Sequence, residues 1–113
     1  MNTLVTTFDD HDQKMIGSLQ SSRSELIEYL RASFEDLDED GGTEGLLLAI
    51  RHAAESIGGV ALVAEKTGLS RESLYKTLSV NGNPKLRTLQ KIIGSLGVTF
   101  SDIFYHEPKT SYF

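Results

Sequence analysis

Five residues near the middle of the chain, Arg71, Glu72, Ser73, Tyr75 and Lys76, have the types and spacing needed to read the edges of nucleic-acid bases. A guanidinium can give two hydrogen bonds to guanine, and a carboxylate can accept one from cytosine N4. The Tyr75 ring can lie against a thymine methyl, or its hydroxyl can bond a phosphate. Lys76, Lys85, Arg87 and Lys91 suit phosphate oxygens, and Ser70, Asn81, Gly82 and Asn83 add hydroxyl and amide donors beside them. This chemistry is recognition rather than bond making.

The other candidates for chemistry are weaker. Asp36, Asp38, Asp40 and Gly41 match the first half of a calcium-binding loop. Position 12 of that loop should supply a bidentate glutamate and is Leu47 instead, so a solvated acidic linker is the better reading. Asp9-Asp10-His11-Asp12 resembles a metal cluster only superficially, and His11, His52 and His106 share no ligand spacing. There is no cysteine, which excludes disulfides, thiolate zinc sites and thiol catalysis. Phosphate-binding glycine loops and a nucleophile-elbow sequence are also missing. Neither catalysis, a cofactor nor a metal is expected.

The elements that must position the reading residues follow from periodicity. Val60, Val63 and Ala64 recur at helical spacing over 60–67, and Gly68-Leu69 forms a turn. Ser70 is a good N-cap for a second helix over 70–78, with Leu74 and Leu78 facing the core. Two helices joined in this way form a helix-turn-helix, whose second helix can enter the DNA major groove. Before it, residues 43–57 carry Leu46, Ile50, Ala53 and Ile57 on one face, with Gly58-Gly59 as the stop. After it, Asn83 as N-cap and Pro84 as first helical residue start a helix with the buried stripe Leu86, Leu89, Ile93 and Leu96. Val98 and Phe100 return to the core, and 101–104 add a last turn.

The first part of the chain reads differently. Residues 1–21 have few apolar anchors and are expected to form a flexible arm, with Val5 and Phe8 packing on the chain itself or on a partner. Ser22 to Glu25 fits a capping box, and Leu26, Leu30, Phe34 and Leu37 mark an amphipathic helix over 23–37. An acidic linker to residue 40 follows. Five or six helices and no strand are expected, an all-α protein. Phe100, Phe104, Tyr105, Tyr112 and Phe113 concentrate aromatics near the C-terminus, where they either fill the space behind the last helix or make a dimer contact.

The chain has 113 residues and a net charge of −5, which at first argues against a nucleic-acid partner. The charge is unevenly spread. Residues 1–58 hold four Lys/Arg against twelve Asp/Glu, a net of −8, whereas residues 59–113 hold seven against four, a net of +3. Such asymmetry suits a nucleic-acid face joined to a surface of another kind. No apolar run reaches the roughly 20 residues of a membrane span, and a cytoplasmic location without membrane contact is expected.

Residues 43–104 resemble the Cro/C1-type (Xre-like) helix-turn-helix domain in Ala64, Gly68-Leu69-Ser70, Leu74, Asn83-Pro84 and the closing run Leu96 to Phe104. The stretch Ala64–Ser79 with Gly82-Asn83-Pro84 is similar, more narrowly, to the HigA-like addiction-module antidote proteins. One position departs from the pattern. Many such domains carry a phosphate-contacting glutamine where this chain has Val60.

The resemblance implies a five-helix Cro/C1 (lambda repressor-like) DNA-binding domain over 43–104. An extra N-terminal helix and linker over 22–40 would precede it, and a tail over 105–113 would follow. It further implies an antitoxin of a type II toxin–antitoxin module that binds operator DNA as a homodimer, represses its own operon and silences a RelE/HigB-like toxin. Such toxins are commonly basic, which would fit the acidic first half. A stand-alone repressor without a toxin, or a protein-binding module that does not meet DNA, are the alternatives.

Overall fold

A computed structural model describes residues 8–105. These form seven helices in the order α1 (Asp10–Ser21), α2 (Arg23–Glu35), α3 (Gly42–Ile57), α4 (Val60–Thr67), α5 (Arg71–Thr77), α6 (Leu86–Ser95) and α7 (Phe100–Phe104). The all-α expectation holds, with no strand among the described residues. No single helix among them is long and apolar enough to cross a membrane. Val5, His106, Tyr112 and Phe113 lie outside the described residues.

Helix α1 corrects the expectation of a flexible arm over 1–21 from Asp10 onward. Asp9 starts it: its carboxylate accepts from the Asp12 amide at 2.9 Å, and the Asp12 carboxylate accepts from the Asp9 amide at 3.0 Å. That reciprocal cap satisfies two donors that a helix start leaves open. Ile16 and Leu19 are buried and Met15 packs beside them, enough to dock the helix on α3 and α2. Phe8 also packs on its own chain, its ring centroid 5.6 Å from that of His52.

The cap of α2 is only half of the expected box. Ser22 Oγ accepts from the Glu25 amide at 3.1 Å, but the Glu25 carboxylate takes a hydrogen bond from Ser18 Oγ at 3.0 Å. The helix stops at Glu35, short of Leu37, because the last amides close a tighter turn, Leu37 N–H donating to Phe34 C=O at 3.1 Å. Leu37 is therefore left 38% exposed instead of buried.

Helix α3 is the centre of the core. Leu47, Ala49, Ile50, Ala53 and Ala54 are all but inaccessible, and α1, α2 and α4 pack around them. Leu47, which stands where a calcium loop would need glutamate, is 1% exposed. The chain then bends by 90° between α3 and α4. Val60 and Val63 seat α4, while Leu74 and Leu78 seat α5.

The start of α6 differs from the sequence reading. Lys85, not Asn83, is its N-cap residue and makes no side-chain cap bond, so Pro84 stays outside the helix. Ile92, Ile93 and Leu96 are buried and Leu89 is partly so, but Leu86 is 72% exposed. Leu86 is the first helical residue, at the end of α6 remote from that buried stretch. Helix α7 is closed by a reciprocal cap between Thr99 and Asp102. Phe100 and Phe104 set their rings edge-on to Phe34 at centroid distances of 6.2 and 4.9 Å. Phe100 and Phe104 thus pack against α2, while Phe104 is still 51% exposed and Tyr105 is 62% exposed.

Candidate functional site

Helices α4 and α5 are joined by three residues, Gly68, Leu69 and Ser70. Gly68 caps α4 at φ 77°, in the left-handed region where a side chain is strained. Ser70 Oγ accepts from the Ser73 amide at 3.0 Å and so begins α5. With Leu74 and Leu78 wholly buried, Arg71, Glu72, Ser73 and Lys76 are left exposed. Tyr75 is half-buried and rests on the core, which commits part of its ring.

The loop after α5 is held closely. A Cβ on Gly82 would lie 1.8 Å from the Thr77 carbonyl oxygen, so the loop backbone presses on the last turn of α5. The Gly82 amide donates to Ser79 C=O at 2.8 Å within the turn. Asn81, Asn83, Lys85, Arg87 and Lys91 are exposed. Val60 is 3% exposed and offers no polar contact.

None of Arg71, Lys76, Lys85, Arg87 and Lys91 forms an ion pair with a described residue. From Ser73 to Ser101 the chain carries Lys76, Lys85, Arg87 and Lys91 and no Asp or Glu.

The other half reverses this arrangement. Arg31 fixes α2 to α7 by donating to the carbonyls of Ile103 at 2.7 Å, Asp102 at 2.9 Å and Tyr105 at 3.2 Å. Arg23 donates to the Gly97 carbonyl at 3.1 Å and lies 3.3 Å from the Asp102 carboxylate. The Thr99 amide, with Arg23 beside it, holds the Asp102 carboxyl below its ordinary range. Three of the four cations of residues 1–58 thus bond to backbone carbonyls, the third being Arg51, which reaches the carbonyl of Leu78. Asp36, Asp38, Glu39 and Asp40 stay exposed on the turn between α2 and α3. Asp36, Glu39 and Asp40 border an open groove of about 580 Å³ floored by Ala32, Ser33 and Gly45.

Two features have no counterpart in the sequence reading. His52, which shares no ligand spacing, is 2% exposed and sits between Asp12 and Tyr29. Arg51 Nη1 donates to Leu78 C=O at 2.5 Å, placing a cation at the C-terminal end of α5, and burial pulls its pKa down. Neither has a local sequence signal, because both partners lie a helix or more away.

The described residues are all-helical, with the exposed side chains of α5 followed by a stretch that has cations and no carboxylate, and with exposed carboxylates on the turn between α2 and α3. A family model described as "Probable addiction module antidote protein" matches residues 8–103. A relative from Haemophilus influenzae (strain ATCC 51907 / DSM 11121 / KW20 / Rd), described as "Uncharacterized protein", is 36% identical over 80 residues, covering 71% of this chain and 77% of its own. No solved structure matches. The chain belongs to the addiction-module antidote family.

Proposed function

We propose that this chain is the antitoxin of a type II toxin–antitoxin module. As a homodimer it binds operator DNA through a Cro/C1-type helix-turn-helix made by α4 and α5, represses its own operon and silences a basic RelE/HigB-like toxin. Family membership supports the antitoxin role. The DNA role rests on one observation: the exposed residues of α5, Arg71, Glu72, Ser73 and Lys76, lead into a 78–101 stretch with three further cations, Lys85, Arg87 and Lys91, and no carboxylate. In this reading Arg71 and Glu72 address base edges, while Lys85 and Arg87 hold phosphates and fix the register. The acidic turn between α2 and α3 meets the toxin, its charge favouring rapid and oriented association. Such a repressor works in the cytoplasm.

A gel-shift titration of the full chain against the DNA upstream of its own gene tests the DNA role, and co-purification with the product of the neighbouring gene tests the antitoxin role. Arg71→Ala should relax preference at one base pair, at a cost of about 1–3 kcal/mol. Lys85→Ala and Arg87→Ala should weaken binding to every sequence alike. Wild-type protein that shifts neither promoter nor random DNA at micromolar concentration would remove the DNA role and leave a protein-binding module.

A further inference from the structure

Leu86 and Val80 are the two large aliphatic side chains most fully given to solvent among the described residues, at 72% and 62%. Scattered exposed hydrophobics are ordinary and need no function. What sets these two apart is their surroundings. Leu37 adjoins the acidic linker, Phe104 packs with Phe34 and Phe100, and Tyr105 follows directly after Phe104 at the end of α7. Val80 and Leu86 instead lie inside the stretch that has Lys76, Lys85, Arg87 and Lys91 and no carboxylate. Leu86 stands directly between Lys85 and Arg87, both exposed. The loop that carries Val80 is pressed against α5 at Gly82, so it keeps a fixed relation to the candidate reading helix.

A stretch of chain whose exposed side chains include aliphatics and cations but no carboxylate fits a partner that is anionic and also presents hydrocarbon. A basic protein would be repelled. Duplex DNA provides both, because deoxyribose carbons lie between successive phosphates. We propose that Val80 and Leu86 pack on the deoxyribose backbone beside the phosphates held by Lys85 and Arg87. The inference rests on the DNA-binding reading and adds to it an apolar contact that is independent of base sequence. It also gives Leu86 a role that its expected burial would have ruled out.

The test is a fluorescence-anisotropy titration of the full chain on its upstream DNA and on a random fragment, over a series of salt concentrations. The double variant Val80→Ser/Leu86→Ser should bind both DNAs about five- to tenfold more weakly. Its slope of log affinity against log salt should stay at the wild-type value, because no phosphate contact is lost. Lys85→Ala, in contrast, should lower that slope by about one. Both positions are exposed, so the melting temperature of the double variant should match wild type and rule out misfolding. If wild type binds DNA and the double variant binds it equally well, the apolar contact does not exist, while the DNA reading stands. If the variant binds DNA normally but no longer co-purifies with the neighbouring gene product, the patch belongs to a protein partner and the proposal is overturned. If wild type binds neither DNA at low salt, the DNA reading and this inference fall together.

Discussion

The imidazole of His52 lies 2.7 Å from the Asp12 carboxylate through Nε2 and 2.7 Å from the Tyr29 hydroxyl through Nδ1, so one buried ring ties α1, α2 and α3 together. The Asp9 amide and His52 hold the Asp12 carboxyl below its ordinary value. The charged form is thus favoured by folding. Asp12 contributes its stability fully above the ordinary carboxylate range and loses it as the pH falls through the lower folded value. Urea melts should show wild type more stable than Asp12→Asn, and the part of that difference due to the Asp12 charge should be lost below about pH 4. A difference that persists unchanged into stronger acid would show that the charge is not what holds α1.

The second bond of the same ring gives a separate outcome. With Asp12 accepting from Nε2–H, a neutral His52 needs the Tyr29 hydroxyl to donate to Nδ1. Tyr29→Phe keeps the ring, whose centroid lies 5.9 Å from that of His52, and removes only the hydroxyl. A buried nitrogen left without a partner costs about 1–3 kcal/mol, to be read in chemical denaturation. Burial, with the Asp12 charge adding to it, also pushes the Tyr29 hydroxyl above its ordinary pKa, so its ionisation should be delayed in an alkaline spectroscopic titration.

Much of this architecture is legible in the residues, for identifiable reasons. Helices α3, α4 and α5 bury strong apolar stripes and are bounded by Gly58-Gly59, Gly68 and Ser70, so local signals and packing agree. Helix α1 escapes a sequence reading because its apolar side chains, Met15, Ile16 and Leu19, are diluted by polar neighbours, and because the His52 that meets Asp12 stands 40 residues away in the chain. Leu86 misleads because a helical stripe reports which face is apolar but not where the covering helices end. The exposed residues of α5 follow directly from Leu74 and Leu78 pointing inward, whereas the loads on Arg51 and Gly82 depend on contacts made only in the folded chain.

Gly82→Ala separates the fold of the loop from the charge it carries. The added methyl would meet the Thr77 carbonyl oxygen and carbon at 1.8 and 2.7 Å, both backbone atoms that cannot swing aside. The loop must then move off α5, with a destabilisation of about 1–3 kcal/mol as for other overpacked sites. If Lys85 and Arg87 hold phosphates, DNA affinity should fall more than stability requires, measured well below the melting temperature. Wild-type melting and wild-type affinity together would show that the loop is not pinned at Gly82.

Arg51 gives the sharpest division between positioning and contact. Its guanidinium, partly buried, reaches the carbonyl of Leu78 at the end of a helix only seven residues long. Arg51→Met keeps most of the aliphatic stem and abolishes the charged hydrogen bond, so it should destabilise the fold by about 1.5–3 kcal/mol. The loss should also loosen the orientation of α5, since Leu74 and Leu78 anchor one face but do not fix rotation about the helix axis. Upstream DNA should therefore lose affinity relative to random DNA, which depends mainly on phosphate contacts. A lysine at this position still places a cation near the carbonyl but lacks the planar fork, so Arg51→Lys should restore part of the lost preference. Equal weakening on both DNAs would show that Arg51 serves the fold alone and leaves the aim of α5 to its apolar anchors.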